Sequence, residues 1–146
     1  MPPLPWTTIS EVDADTDTVV MASRLPLRSY LKVPGFLRRT LQIRKQLAHA
    51  PGLVGYALDA QLFRKTFWTV SAWTSREALE QFAGANPHHT ATASIRPDML
   101  PTTFVFWTAP ARDLPIAWAE VRRRVRERRE PGPSPRRHGQ WTPRPR

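Results

Sequence analysis

Two adjacent histidines, His88 and His89, have the side chains in this chain best suited to proton transfer or iron ligation. They follow Asn86 and Pro87, a pair typical of the cap and the first position of a helix. The amino terminus of a helix carries partial positive charge, which disfavours the imidazolium form of a nearby histidine. Neutral imidazole can accept a proton or bind a metal. The pattern therefore predicts a candidate catalytic base at this helix start.

The two histidine rings are not equivalent. Neighbouring residues of a helix point about 100° apart, so the pair is a poor pattern for one metal ion. His88 shares a face with Ala91 and Ile95, which form the more apolar stripe of the segment. We predict that His88 faces inward as the catalytic base and that His89 is the weaker catalytic candidate. A histidine that only packs against the sheet, or that is solvated, is the structural alternative.

A second group of candidates is aromatic or basic and suits a flat, anionic small molecule. Rings that line a cavity bind planar substrates or a porphyrin, and a basic loop can hold a carboxylate or a phenolate. Thr69 and Ser71 share a strand face with two of the rings, which indicates a polar cavity or a dimer seam. Core packing of the rings and a solvated loop are the alternatives. The predicted substrate-binding residues are Arg28, Tyr30, Phe67, Trp68, Trp73 and Trp107.

Composition excludes several classes of protein. The 146 residues, 40% of them hydrophobic, suffice for one domain with a core. The chain has no cysteine, which excludes disulfides and thiolate metal sites. No apolar run reaches the roughly 20 residues of a membrane span, and the start lacks the features of a secretory signal. No phosphate-binding glycine loop or zinc-protease motif occurs. We therefore expect a cytoplasmic protein with no membrane partner.

The net charge of +10 is concentrated near the end of the chain. Ten arginines and two glutamates lie between Arg122 and Arg146, so the preceding body is nearly balanced. No base-reading motif accompanies these arginines. We expect at most unspecific, salt-sensitive contact of the tail with nucleic acid, and a solubilising extension is the plainer alternative.

The predicted elements follow the order βα, ββ, αβ. This order is the split βαβ pattern of a ferredoxin-like α+β domain. Thr74 and Glu77 form a capping box that predicts the start of the second helix. The predicted strands are 18–25, 53–60, 66–73 and 102–107, and the predicted helices are 34–49, one from 74, and 114–129.

Four segments follow from this order. We predict a flexible segment over residues 1–17 and a ferredoxin-like α+β barrel domain over residues 18–112. An amphipathic helix is predicted over residues 113–130, followed by a disordered, proline- and arginine-rich tail over residues 131–146. The strands are apolar on both faces, so we expect one face to be covered by helices and the other by a second subunit. The chain is therefore predicted to form a homodimer.

The stretch FWTVSAWTSREALEQFAGANPHH resembles the antibiotic-biosynthesis-monooxygenase-like families of the dimeric α+β barrel superfamily. The turn PGLVGY is similar to theirs, and the loop SRLPLRSYLKVPGF resembles proteins near the spheroidene monooxygenases. His88 occupies the place of the helix histidine of these families. The resemblance implies a dimeric α+β barrel. Related barrels include cofactor-independent quinone-forming oxygenases, haem-degrading enzymes, haem-binding dehydratases, decarboxylases and small-molecule sensors, and fold alone does not choose among them. We expect an oxygenase that requires no cofactor, with haem as the alternative.

The predicted function is a small dimeric monooxygenase-like enzyme of secondary metabolism, such as antibiotic biosynthesis. It would act on an aromatic or polycyclic small molecule with a helix-borne histidine as base. One alternative is a haem enzyme of the same fold with His88 as the iron ligand. A second alternative is a non-enzymatic ligand-binding or interaction protein, because fold alone does not determine function.

Overall fold

A computed structural model describes residues 4–84 and 96–129 of the chain. His88 and His89 lie outside the described residues, as does the predicted tail over residues 131–146. Within the described ranges the chain forms one five-stranded sheet and three helices. The elements are β1 (Leu4–Thr8), β2 (Asp17–Pro26), α1 (Val33–Leu47), β3 (Leu53–Gln61), β4 (Thr66–Trp73), α2 (Arg76–Gly84), β5 (Thr103–Pro110) and α3 (Trp118–Arg129).

The strand order β1-β3-β4-β2-β5 confirms the predicted ferredoxin-like α+β fold. Every neighbouring pair is antiparallel. Strands β2 to β5 with α1 and α2 form the ferredoxin-like βαββαβ unit. The hairpin between β3 and β4 turns through a short 3-10 segment, Leu62–Arg64, and Lys65 takes a left-handed conformation with φ of 53°.

Strand β1 corrects the prediction that residues 1–17 are a flexible segment. Leu4–Thr8 extends the sheet beside β3, with Thr8 opposite Gly55. Proline is tolerated here because an edge strand does not need every N–H group. Gly55 is required at this position, because a Cβ atom there would lie 2.5 Å from Nε1 of Trp6. The large ring of Trp6 thus anchors a segment whose proline content alone suggested disorder.

Helix α3 covers the sheet face that was predicted to bind a second subunit. Val121 and Val125 are fully buried and pack against Val20 and Ala22 of β2. This α3 face is closed by the same chain, because two valines one helical turn apart meet a row of small apolar strand residues. The expected second subunit is therefore not needed to bury it.

Two helix boundaries differ from the predictions. The cap of α2 is Ser75, whose Oγ accepts a hydrogen bond of 3.1 Å from the Ala78 amide, and not Thr74. Helix α3 begins at Trp118 and not at Leu114. Leu114 is extended, because a residue that precedes proline is disfavoured in the helical region.

Candidate active site

A cavity of about 800 Å³ lies between the sheet and the helix pair α1 and α2. Side chains alternate along a strand, so every second residue of each strand faces this layer. We call this side of the sheet the cavity face. Its strand residues are Met21, Ser23 and Leu25 of β2, Tyr56 and Leu58 of β3, Thr69, Ser71 and Trp73 of β4, and Phe104 and Phe106 of β5.

Aromatic rings form much of the cavity wall. Trp73 is only 1% exposed, and its ring lies 5.4 Å from that of Phe82 on α2. Phe36 of α1 lines the cavity from the helix side. Phe104 and Phe106 lie on the edge strand and remain partly exposed. This wall suits a flat aromatic ligand, because ring faces and edges pack against one another over large areas.

A row of hydroxyl groups crosses the floor of the cavity. Ser23 and Thr69 are directly opposite on β2 and β4, and their side-chain oxygens are 2.5 Å apart. Oγ of Ser71 accepts a hydrogen bond of 2.9 Å from Nε1 of Trp73. Ser71 can still donate its own hydrogen, since a hydroxyl is both donor and acceptor. The floor therefore offers polar contacts to oxygen atoms of a bound ring.

A tyrosine and an arginine add a second polar point at the helix side. Nε of Arg44 on α1 donates a hydrogen bond of 3.2 Å to the hydroxyl oxygen of Tyr56. Because that oxygen accepts from a cation, the Tyr56 hydroxyl is a stronger hydrogen-bond donor. Both residues line the cavity. Together they suit an anionic or electron-rich oxygen on the ligand.

The charged residues of the cavity lining are mostly basic. Among the described lining residues Glu80 is the acidic one, and it pairs with Arg76 at 3.5 Å. The guanidinium of Arg76 also lies 4.2 Å from the ring centroid of Phe106. A cationic lining lowers the pKa of a phenol or acid bound beside it, because it favours the anion. The arginines of the lining are Arg28, Arg39, Arg44, Arg76 and Arg96.

The structure brings only some of the predicted substrate-binding residues together. Arg28 and Trp73 line the cavity, as do Thr69 and Ser71. Phe67 is fully buried beneath α1, where its ring lies 4.2 Å from that of Phe36.

The other predicted residues lie elsewhere. Tyr30 is exposed and donates its hydroxyl hydrogen to the Phe63 carbonyl. Trp68 and Trp107 belong to the α3 face, with the guanidinium of Arg122 5.4 Å from the Trp68 ring and that of Arg124 4.2 Å from the Trp107 ring. Trp68 points to the opposite side of the sheet from Trp73 because the two differ in parity along β4. Trp107 pairs with Val20, which belongs to the α3 face.

Sequence reasoning missed Arg44, Tyr56 and Ser23. Tyr56 could have been found from the sequence. It and Leu58 share one face of β3, and the residues opposite them on the neighbouring strand carry hydroxyls. Arg44 lies next to Ile43 on α1, and its contact with Tyr56 depends on how the helix crosses the sheet.

Metal and membrane features are absent from the described part of the chain. Among residues 4–84 and 96–129, no three His, Asp or Glu side chains gather as metal ligands would. No helix in those ranges is long and apolar enough to cross a membrane.

No protein-family model matches the chain, and no curated protein matches its sequence. Solved structures share its fold. SnoaB, a cofactor-independent oxygenase from Streptomyces nogalater, is 16% identical, with a TM-score of 0.52 over 64% of this chain and 93% of SnoaB. A Caulobacter crescentus protein provisionally described as an antibiotic biosynthesis monooxygenase is 19% identical, with a TM-score of 0.54 over 67% of this chain and 92% of that one.

A conserved protein from Methanosarcina mazei is 10% identical, with a TM-score of 0.58 over 64% of this chain and 94% of that one. These likenesses show that the chain has the α+β fold of antibiotic biosynthesis monooxygenase-like proteins. At such identities they establish the fold and leave the reaction to the site.

Proposed function

We propose that the chain is a small monooxygenase-like enzyme of secondary metabolism that oxidises an aromatic or polycyclic small molecule in this cavity. The observation that carries the proposal is the composition of the cavity: aromatic walls, a hydroxyl floor and a lining rich in arginine. A volume of about 800 Å³ falls within the usual range of small-molecule sites. The description of SnoaB as a cofactor-independent oxygenase supports a reaction without a bound cofactor.

The proposed chemistry uses the substrate as its own reductant. A base removes the phenolic proton, and the electron-rich anion then donates electrons to dioxygen. A phenol C–H bond and its O–H bond become a quinone carbonyl pair: one O₂ is consumed, one oxygen atom enters the ring and the other leaves as water. The cationic lining stabilises the anion, and the aromatic walls orient the ring.

We propose His88 as the base and His89 as the weaker candidate. Positioned proton transfer contributes roughly 100-fold or more to rate, so His88→Ala should lower turnover by about that factor while substrate binding is retained. His89→Ala should have a smaller effect. His49→Ala is the matched control, because His49 is an exposed histidine at the end of α1 and does not line the cavity.

The test is oxygen consumption by the purified protein with a panel of hydroxylated polycyclic aromatic compounds. The expected result is one O₂ per quinone formed, with no oxygen returned when catalase is added. No consumption above the rate without protein would overturn the oxygenase proposal. An unchanged rate in His88→Ala would remove the histidine from the mechanism while leaving the activity in place.

Haem binding is separated by a spectrum of the protein as purified and after haem titration. No histidine is among the described residues that line the cavity, and we propose His88 as the axial ligand of this alternative. A Soret band that disappears in His88→Ala would favour the haem enzyme. Tight binding of an aromatic compound without turnover would favour the non-enzymatic ligand-binding protein.

We further propose that the chain forms a homodimer through the outer edge of β5, which pairs with no further strand among the described residues. This strand ends the sheet, and Phe104 and Phe106 stay partly exposed on it. An exposed edge strand with apolar side chains is a ready surface for association. Light scattering should give twice the chain mass of 16.7 kDa, and a single chain mass at micromolar concentration would contradict the dimer.

A further inference from the structure

Two turns at one end of the sheet present apolar side chains to solvent. Leu31, in the 3-10 turn Tyr30–Lys32, is 87% exposed, and Phe63, in the turn between β3 and β4, is 90% exposed. The Tyr30 hydroxyl donates to the Phe63 carbonyl, and Nζ of Lys65 lies 5.1 Å from the Tyr30 ring centroid. These contacts hold the turns side by side. We call this region, residues 28–32 and 62–65, the basic tip.

The basic tip carries cations and no acidic residue. Its four charged residues are Arg28, Lys32, Arg64 and Lys65. Burial and the nearby positive charge of Arg129 lower the pKa of Arg24 on adjoining β2. The carboxyl end of α3 therefore adds positive charge at the same end. The neighbouring turn Arg96–Asp98 contributes one residue of each sign.

The opposite end of the sheet is acidic. The segment that leads into β2 holds Glu11, Asp13, Asp15 and Asp17, and Arg112 pairs with Asp15 at 2.6 Å. Strand β2 has ten residues from Asp17 to Pro26, which separates the two ends by roughly 30 Å. The described part of the chain is thus electrically polarised along its strands, and the most exposed of its large apolar side chains lie at the positive end.

We propose that the basic tip docks on an anionic lipid surface, with Leu31 and Phe63 inserted among the headgroups. Exposed apolar side chains surrounded by Lys and Arg suit an anionic bilayer interface. Insertion of the apolar groups and attraction of the positive charges to anionic lipids both favour binding there. Both apolar residues protrude on turns, which suits insertion better than the flat contact of an acidic protein. Surface docking needs no spanning helix, so it is compatible with the absence of an apolar span in the sequence.

Docking at this tip places the cavity next to the bilayer. Arg28 belongs to the tip and also lines the cavity. Its Nε donates a hydrogen bond of 3.2 Å to the Pro97 carbonyl, and Leu27 pairs with Met99, another lining residue. An apolar aromatic compound dissolved in the membrane would therefore lie close to the cavity lining.

The test uses the full chain, which has no cysteine, so one introduced thiol can be labelled selectively. Phe63→Cys carries the environment-sensitive fluorophore NBD, and Leu41→Cys is the matched control, because Leu41 is an exposed leucine on α1. Vesicles of phosphatidylcholine with added phosphatidylglycerol should shift NBD emission to the blue at Phe63 and not at Leu41. Phosphatidylcholine alone should give a much weaker shift.

Vesicle cosedimentation supplies the second measurement. The double variant Leu31→Ser with Phe63→Ser should partition onto anionic vesicles about tenfold less, whereas Leu41→Ser should match the parent chain. Circular dichroism checks that all variants fold alike. Turnover is not measured, so the result is independent of the proposed oxygenase activity.

Three outcomes would overturn the proposal. If the double variant bound vesicles as well as the parent chain, the two apolar side chains would not contribute, and the binding would come from arginines elsewhere in the chain. Vesicle binding without a blue shift at Phe63 would exclude insertion. A shift with polyglutamate but not with vesicles would assign the tip to an acidic protein.

Discussion

The two faces of the sheet are similarly apolar in sequence but are filled differently. On the α3 face, Val121 and Val125 close against β2 and are 0% exposed. On the cavity face, the described residues of α1, α2 and the sheet enclose a cavity of about 800 Å³ lined by Ser23, Thr69 and Ser71. The hydroxyls of Ser23, Thr69 and Ser71 line this cavity, where a ligand could use them. Incomplete packing therefore marks the candidate site more clearly than the number of aromatic residues does.

Arginines also behave differently on the two faces. On the α3 face, Arg122 forms an ion pair with buried Asp59, and Arg124 stacks on Trp107. The contacts of these two guanidinium groups are made within the folded chain and stabilise its packing. On the cavity face, Arg44 donates a hydrogen bond to the Tyr56 hydroxyl and lines the cavity. Its positive charge can still act on a bound molecule.

The largest expected effect is a loss of stability on the α3 face. The double variant Val121→Ala with Val125→Ala should reduce the free energy of unfolding by about 3 kcal/mol, because truncation leaves voids in a closed core. Urea unfolding followed by circular dichroism measures it. The affinity for 8-anilinonaphthalene-1-sulfonate, an aromatic anion suited to the cavity, should not change. A loss below about 1 kcal/mol would mean that α3 is not part of the core.

A truncation on the cavity face should have a small effect on stability and a clear effect on dye binding. Ile43 lines the cavity from α1 and is only half-buried, so Ile43→Ala should cost about 1 kcal/mol of stability. The dissociation constant of the same dye should rise roughly fivefold, because apolar contact with the ligand is lost. Equal dye binding in variant and parent would place the dye outside the cavity.

Removal of the charge at Arg44 should have a smaller effect on dye binding than Ile43→Ala has. Arg44→Met keeps an aliphatic side chain but removes the donor to Tyr56 and the positive charge. We expect the dissociation constant of the sulfonate dye to rise about threefold, since the guanidinium is exposed and screened by solvent. Arg38→Met is the control, because Arg38 is exposed on the same helix and does not line the cavity. Equal effects of the two variants would show that only net charge matters.

The smallest effect concerns Arg24 on the α3 face. Burial and Arg129 lower the pKa of Arg24, so folding disfavours its charged form. The guanidinium stays protonated between about pH 5 and pH 9, and it therefore adds a constant destabilisation with no pH dependence in that range. Arg24→Met should stabilise the fold by about 0.3 kcal/mol after solvent screening. Added salt should shrink the difference, and a difference that grows with salt would contradict the repulsion.

Much of the fold was predictable from local pattern. Alternating apolar residues and the helix start near Pro34 identified the order of the ferredoxin-like elements, and Thr69 and Ser71 were recognised as polar residues on a ring-bearing face. The first strand was missed because proline normally argues against a strand, and its pairing depends on the contact of Trp6 with Gly55. The sequence did not show which aromatic candidates line the cavity. Trp68 and Trp73 lie on the same strand, and only the assignment of the two sheet faces separates them.

The sequence by itself determined the element order, the two-sided apolar sheet and the concentration of positive charge near its end. These features rest on local periodicity and composition, which need no knowledge of distant contacts. Only the tertiary structure decided that α3 covers one face and that the other keeps a cavity beside Arg44 and Tyr56. The physical reason is that alternation defines two faces of a strand, whereas long-range packing of helices selects which face is filled.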